Sequence, residues 1–245
     1  MAEIITSKVI VLKKLDYGDT SKIATFFSED KGKISAIIKG AKSPKSKAGA
    51  LIDPLNILEV TYYNKSGREI QVITQADLIL HPAKITEDLD YTKFASAAIE
   101  LVDKMVYSNQ SFPMIFKAVE RFINLLNQQS PNPEMLFAKL FLFFLKEVGY
   151  EPQLENCIYC GKMKKGDEIN HFNFETGLVC DSCSRDHLTS ITFSRELFKL
   201  LNCLSQKNNE FNYSQENLNK VLFFLEKYLM YHVPEFKGLK SLKMF

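Results

Sequence analysis

Four of the five cysteines fall into two tight pairs, Cys157-Ile-Tyr-Cys160 and Cys180-Asp-Ser-Cys183, with nineteen residues between the pairs. Two residues between thiols let both reach one ion, and tetrahedral zinc takes two such pairs at Zn–S distances of ~2.3 Å. Gly161 follows the first pair and permits the backbone turn that aims amides at sulfur. Between the pairs, His171-Phe-Asn-Phe174, a turn at Glu175-Thr-Gly177 and Leu178-Val179 read as a hairpin feeding the second pair, the layout of a zinc ribbon. The expectation is one structural Zn2+ on Cys157, Cys160, Cys180 and Cys183, because four thiolates close the shell and leave no position for water. Three other readings compete with it. A redox CxxC wants a βαβ setting and needs no second pair, the thiols can be small buried hydrophobes, and His171 or His187 can stand in for one cysteine. Cys203, on a helix among Leu200, Leu201 and Leu204, is expected in a core.

The elements that must position these thiols are legible from pattern. At 245 residues the chain is one large domain or two small ones. With 46% hydrophobic and 24% charged residues it has material for a core. Its longest strongly apolar stretch, Leu140–Leu145, is far short of the ~20 residues that cross a bilayer. Lys8, Lys13, Lys14 and Asp16 interrupt any signal-peptide apolar region. Transmembrane and secreted readings are excluded on those grounds. Residues 1–80 alternate as strands: Ser7–Leu15, Thr20–Phe27, Lys33–Lys39, Leu55–Tyr63 and Glu69–Leu80, rich in Val, Ile, Thr, Phe and Tyr. Five short strands suit an oligonucleotide-binding (OB) barrel, with an SH3-like barrel as the alternative. After His81-Pro82 the period becomes helical, through Phe94–Met105, Pro113–Leu126, an all-round apolar helix capped by Asn132-Pro133-Glu134, and two more at Ser194–Leu204 and Ser214–His232. The fold class is α+β: an N-terminal five-stranded OB-like barrel, then an α-helical domain carrying the ribbon. The expected divisions are residues 1–80 for the barrel, 81–155 with 189–245 for the helices, and 156–188 for the ribbon.

The net charge of +2 is unevenly spread, for residues 1–50 carry ten Lys against five acids. A basic segment on a neutral body suggests a polyanion partner. The candidate nucleic-acid residues are Lys13, Lys14, Lys33, Lys39, Lys42, Lys45, Lys47 and Arg68, with Phe26, Phe27, Tyr62 and Tyr63 nearby. Cations beside stacking platforms are how OB barrels hold single strands, although each aromatic taken singly is better read as core. Gly40–Gly49 has five turn formers, three Lys and no acid, and is expected to be a mobile basic loop. Phosphate-binding, dinucleotide and hydrolase motifs are absent, and four scattered His give no acid–base pair.

The chain resembles the RecO family. The barrel carries Tyr17-Gly18-Asp19, Gly32-Lys33 and Lys39-Gly40-Ala41 with Pro44-Lys45-Ser46. The helical part carries Gly149-Tyr150-Glu-Pro152-Gln-Leu154 running into Cys157-x-x-Cys160-Gly161. Phe172, Phe174, Gly177 and Cys180-x-x-Cys183 complete the set. Asp19 stands where Glu is commoner in the family, and Leu178 where a second Gly is common. The resemblance implies a bacterial, cytoplasmic, non-enzymatic mediator of DNA repair and recombination. Such a protein binds single- and double-stranded DNA, anneals complementary strands, and with RecR helps RecA replace single-stranded DNA-binding protein (SSB). It also implies that the helical domain binds the acidic SSB C-terminal tail, for which Lys117 and Arg121, beside Phe116 and Phe122, are a candidate rim. Zinc in this family supports the fold. The alternative is a zinc-ribbon adaptor of transcription or translation. The ribbon's charges argue against it, since Lys162, Lys164, Lys165 and Arg185 are opposed by Asp167, Glu168, Glu175, Asp181 and Asp186.

Overall fold

The computed structural model describes residues 3–163, 168–205 and 212–244. The chain forms two compact units, Met1–Pro133 with Leu239–Phe245, and Glu134–Gly238. The first helices after the barrel fall in the same unit as it.

In the first unit, β1 (Glu3–Tyr17), β2 (Ser21–Ser28), β3 (Gly32–Ile38), β4 (Ile57–Asn64) and β5 (Ile70–Leu80) close into a barrel in the order β1-β2-β3-β5-β4. Closure comes from a short parallel ladder, Ser35–Ile37 of β3 against Ile70–Val72 of β5. Alternate residues fill the interior, among them Val9, Val11, Phe26, Ala36, Val60 and Tyr62. The long β1 pairs on both sides, bending where its register with β2 shifts between Val11 and Lys13.

The segment expected to be a mobile basic loop is instead folded. Its turns are held by Ser43 N donating to Gly40 O and Ser46 N to Ser43 O, and Lys42 N donates to Thr20 O. Ser46 then caps a short helix, α1 (Lys47–Leu51), accepting from Gly49 N at 3.1 Å. Ala41 and Ile52 join the barrel core, with Ala48 and Leu51 packed against it. Gly49 is required there, because a Cβ would overlap the backbone of Ala41. Apolar residues interleaved with the lysines anchor the segment and leave the charges outside.

Helices α2 (Leu89–Met105) and α3 (Pro113–Asn127) bury one apolar face each, including Phe94, Leu101 and Val102 on α2 and Phe116, Val119 and Ile123 on α3. Asp88 caps α2 through the amides of Asp90 and Tyr91, and Pro113 opens α3. Phe27 of β2 packs on Phe116, ring centroids 5.4 Å apart. Gly32 (φ +66°) lies against the turn after α2, where a side chain would overlap the carbonyls of Tyr107 and Gln110.

The chain returns to this unit at its C-terminal end. Leu239 is fully buried, and the Glu100 carboxylate of α2 accepts from Lys240 N (3.0 Å), Ser241 N (2.8 Å) and Ser241 Oγ (2.8 Å) while pairing with Lys104 (2.8 Å). Burial alone would raise the Glu100 pKa. Lys104, the Ser241 and Lys240 amides and the Ser241 hydroxyl outweigh it and hold the carboxyl at about 2, below an ordinary 4.5. A pKa depressed by folding contributes stability that is complete above 4.5 and is lost as pH falls toward 2. Glu100→Gln is expected to lower the thermal midpoint at pH 7 by a few degrees, from ~1–2 kcal/mol of charge-assisted contacts. The gap to wild type should narrow between pH 4.5 and 2 in a calorimetric series, and a gap that stays constant would refute this role.

In the second unit, α4 (Pro133–Glu147) is apolar nearly all round, burying Phe137, Leu140, Phe141, Leu142, Phe144 and Leu145. A three-stranded sheet, β7-β6-β8, is made of β6 (Asn170–Asn173), β7 (Gly177–Cys180) and β8 (Ile191–Phe193), followed by α5 (Arg195–Ser205) and α6 (Gln215–His232). Aromatic edges join sheet to helix: Phe172 and Phe193 meet Phe224 of α6 at 5.1 and 5.0 Å, nearly perpendicular. Among the described residues no helix is long and apolar enough to cross a membrane.

Candidate metal centre and nucleic-acid face

The turn after α4 and the β6–β7 hairpin bring the two cysteine pairs together. Ile158 N donates to Leu178 O, and Asn170 and Cys180 face each other across β6 and β7, so the knuckle at 157–160 sits against the end of β7. Gly161 adopts φ +69°, and its amide donates to Cys157 O. All four Sγ atoms lie within 4.8 Å of one another, and Cys160 and Cys180 are 3.8 Å apart. A tetrahedron with Zn–S bonds of ~2.3 Å has edges of ~3.8 Å, so the thiols are spaced as one ion requires.

Backbone amides point at the sulfurs: Cys180 N donates to Cys157 Sγ at 3.3 Å and Cys183 N to Cys180 Sγ at 3.4 Å. Burial raises the Cys157 pKa, but the amides of Cys160, Cys180 and Tyr159 overcome it and bring the thiol to about 6. Cys180 is lowered as well, by contacts with Cys183 that outweigh its burial. Cys183 goes the other way, to about 12, since its hydrogen bond to Cys180 and its burial favour the thiol. The opposite shifts of Cys157 and Cys180 on one side and Cys183 on the other show thiols close enough to share protons and to repel one another once ionised. A cation relieves that repulsion, so the donor chemistry fits a soft divalent ion.

The histidines do not enter this set. His171 Nδ1 lies 3.1 Å from Thr192 and Nε2 3.3 Å from Asp181, while His187 stacks on Tyr159 at 3.5 Å. Cys203 is half-buried on α5. Lys162 pairs with Glu168 at 3.3 Å. Lys164, Lys165 and Asp167 lie outside the described residues.

The candidate nucleic-acid cations divide sharply. Lys33 donates to the carbonyl of Asp103 (2.5 Å) and pairs with its carboxylate (3.7 Å), and Lys13 meets the same carboxylate at 3.0 Å. Lys14 pairs with Asp53. These three hold barrel to helix or to the 51–56 turn and are not free charges. Lys42 donates to Gly18 O at 2.9 Å and faces Asp16 at 3.4 Å. Lys39, Lys45, Lys47 and Arg68 are exposed, with no ion pair among the described residues. Beside the folded segment opens a cleft of about 460 Å³, lined by Asp16, Lys22, Lys42, Ser43, Ser46 and Gly49 among others. Lys22, which the sequence reading passed over, reaches Gly49 O there. Of the four aromatics, Phe26, Phe27 and Tyr62 are buried and only Tyr63 faces solvent.

Lys117 and Arg121 are exposed one turn apart on α3, but Phe116 and Phe122 beside them are buried. The apolar groove they were to rim is thus not formed by those two rings. They fall on the inner face of the helix because its stripe runs through 115, 116, 119, 122 and 123.

Fold and centre define a class: a small closed barrel followed in the chain by a helical unit that carries four cysteines spaced as one metal ion requires. The model of the Recombination protein O N terminal matches residues 1–81 and that of the Recombination protein O C terminal residues 86–243. The chain belongs to the recombination protein O (RecO) family of DNA repair and recombination proteins. It is 28% identical to the DNA repair protein RecO of Syntrophomonas wolfei over 201 residues, 82% of this chain and 78% of that protein. Identity to the DNA repair protein RecO of Oceanobacillus iheyensis is 30% over 202 residues, covering 80% and 74%. For that of Prosthecochloris aestuarii it is 24% over 243 residues, covering 94% and 92%.

Proposed function

We propose that this chain is a cytoplasmic, non-enzymatic recombination mediator that binds single- and double-stranded DNA and anneals complementary strands. With RecR it helps load RecA onto SSB-coated DNA, and it docks the SSB C-terminal tail. One structural Zn2+ on Cys157, Cys160, Cys180 and Cys183 holds the ribbon. The observation that carries the DNA reading is the set Lys39, Lys45 and Lys47, solvent-facing and unpaired among the described residues, on a segment that the barrel core fixes in place. Cations on a fixed backbone lose only side-chain freedom on meeting a phosphate backbone, and they release its counterions. Annealing makes and breaks no covalent bond. It asks that two polyanions be held together with their bases accessible, which cations and stacking surfaces provide. Lys42, already engaged with Gly18 and Asp16, positions the segment more than it meets DNA. On α3, Lys117 and Arg121 supply positive charge to an acidic tail, with exposed Met114 one turn before them as the apolar neighbour.

The test is annealing of two complementary strands pre-coated with the cognate SSB, without nucleotide. Acceleration by the protein is expected. No acceleration by a folded, zinc-loaded chain would reduce the reading to a nucleic-acid-binding protein without mediator activity.

A further inference from the structure

Strand pairing places six apolar residues in one transverse row on the outside of the barrel. Leu15 of β1 faces Ile23 of β2, Ile23 faces Ile37 of β3, Ile37 faces Val72 of β5, Val72 faces Tyr63 of β4, and Tyr63 faces Ile4 of β1. Directly paired residues share a face of the sheet, and the core is filled from the alternate positions, Ala24, Ala36, Ile38, Tyr62 and Ile73. The row is therefore external. It winds once round the barrel and returns to β1 eleven residues from where it began (Leu15 to Ile4).

Its exposure is uneven. Ile23, Ile37 and Val72 are half-buried, while Leu15, Tyr63 and Ile4 are 52%, 43% and 65% exposed. Ile70, next outward from Val72 on β5, is exposed as well. Apolar side chains this open in a connected track call for an occupant. A closed barrel has no free edge for an added strand, so the occupant lies across the surface.

Charge says which occupant. At the Val72–Tyr63–Ile4 end the β4–β5 turn carries Lys65 and Arg68, and Lys39 stands two residues beyond Ile37. All three are exposed and without an ion pair among the described residues. Glu3 and Glu69 are the acids nearby, so the balance at this end is positive. Apolar contacts along a line with cations on both sides match a chain whose flat apolar groups alternate with phosphates. A duplex hides those groups inside its stack.

We propose that the Val72–Tyr63–Ile4 track contacts the bases of single-stranded DNA, with Tyr63 the stacking residue and Lys39, Lys65 and Arg68 the phosphate contacts. This rests on the DNA-binding reading above and deepens it, since it makes the barrel exterior the surface that tells single strands from duplex. Contacts to base faces are sequence-tolerant, as a mediator on arbitrary gaps requires. The two steps of ~4.8 Å from Val72 through Tyr63 to Ile4 span roughly 10 Å, so the apolar track meets the central bases of a site whose flanking phosphates reach the three cations.

Three ligands test it with the full chain: a dT oligomer carrying 5-iododeoxyuridine, an abasic strand of equal length, and a duplex. Ultraviolet irradiation should cross-link the first to Tyr63. Tyr63→Ala should weaken dT binding about tenfold, the scale of one lost base stack, while abasic-strand and duplex binding stay unchanged. Tyr63→Phe should restore dT binding. Arg68→Glu with Lys65→Glu should weaken dT and abasic strand alike. Wild-type binding to all three ligands with no effect of Tyr63→Ala, or cross-links confined to residues 42–47, would overturn the track and leave DNA binding standing. Failure of the wild-type chain to retain any ligand would sink both.

Discussion

Cys157→Ser is expected to strip the protein of zinc, from about one ion per chain to nearly none by elemental analysis, and to open the region from 157 to 183. Cys157 is almost wholly buried and its sulfur accepts the Cys180 amide, so it is both ligand and packing centre. Structural zinc supplies ~10–16 kcal/mol of apparent binding energy in small zinc-dependent folds, more than most whole domains have in net stability. The loss should stay local, for Phe172, Phe193 and Phe224 lie in an apolar cluster that needs no metal. Limited proteolysis should therefore nick the variant within 157–183 while the barrel unit persists. A fully zinc-loaded Cys157→Ser protein, or one with unchanged protease resistance, would contradict the four-thiolate assignment.

The second large effect concerns charge. Lys45→Glu with Lys47→Glu should weaken binding to single-stranded DNA by ~10–100-fold at moderate salt and flatten the log–log salt dependence by at least ~1.4, or ~0.7 per lost phosphate contact. The fold should be unaffected, because both side chains are exposed and unpaired among the described residues. Lys13→Glu is the informative contrast. Its ammonium meets Asp103 of α2, so reversal places two anions together, and its main effect should be on thermal stability. If Lys13→Glu weakened DNA binding as strongly as the double variant at equal stability, the division between structural and free cations would be wrong.

That division marks where the sequence stops being informative. The metal knuckle was readable because its chemistry fixes ligand type and local spacing, and only the closing distance between the pairs depended on the fold. The five strands were readable within a few residues, since alternation and turn residues are local properties. Lys13 and Lys33 looked like part of the same cationic surface as Lys45, because their shared partner is ninety and seventy residues away at Asp103. Nothing near Asp103 in sequence distinguishes it from any acid on a helix. Gly40–Gly49 misled for a related reason: Gly, Ser and Lys suggest a loose loop, yet Ala41, Ala48, Leu51 and Ile52 find their partners in the barrel. Tyr62 and Tyr63 are adjacent in sequence and opposite in role, and only strand parity separates the core ring from the exposed one.

The Glu100 clasp also sets an order of events. The first unit is completed by residues that follow the whole of the second, about 105 residues later. At ~5–20 residues per second, a ribosome needs roughly 5–20 s to make that intervening stretch. Throughout this interval the barrel and α2–α3 exist without their last segment, and the Glu100 carboxylate has no amides to bind. The first unit is thus begun first and finished last, its late piece docking on α2. A chain that loses Leu239 and the residues after it would retain Lys39, Lys45, Lys47 and all four clustered cysteines, yet lack the piece that closes the earlier unit.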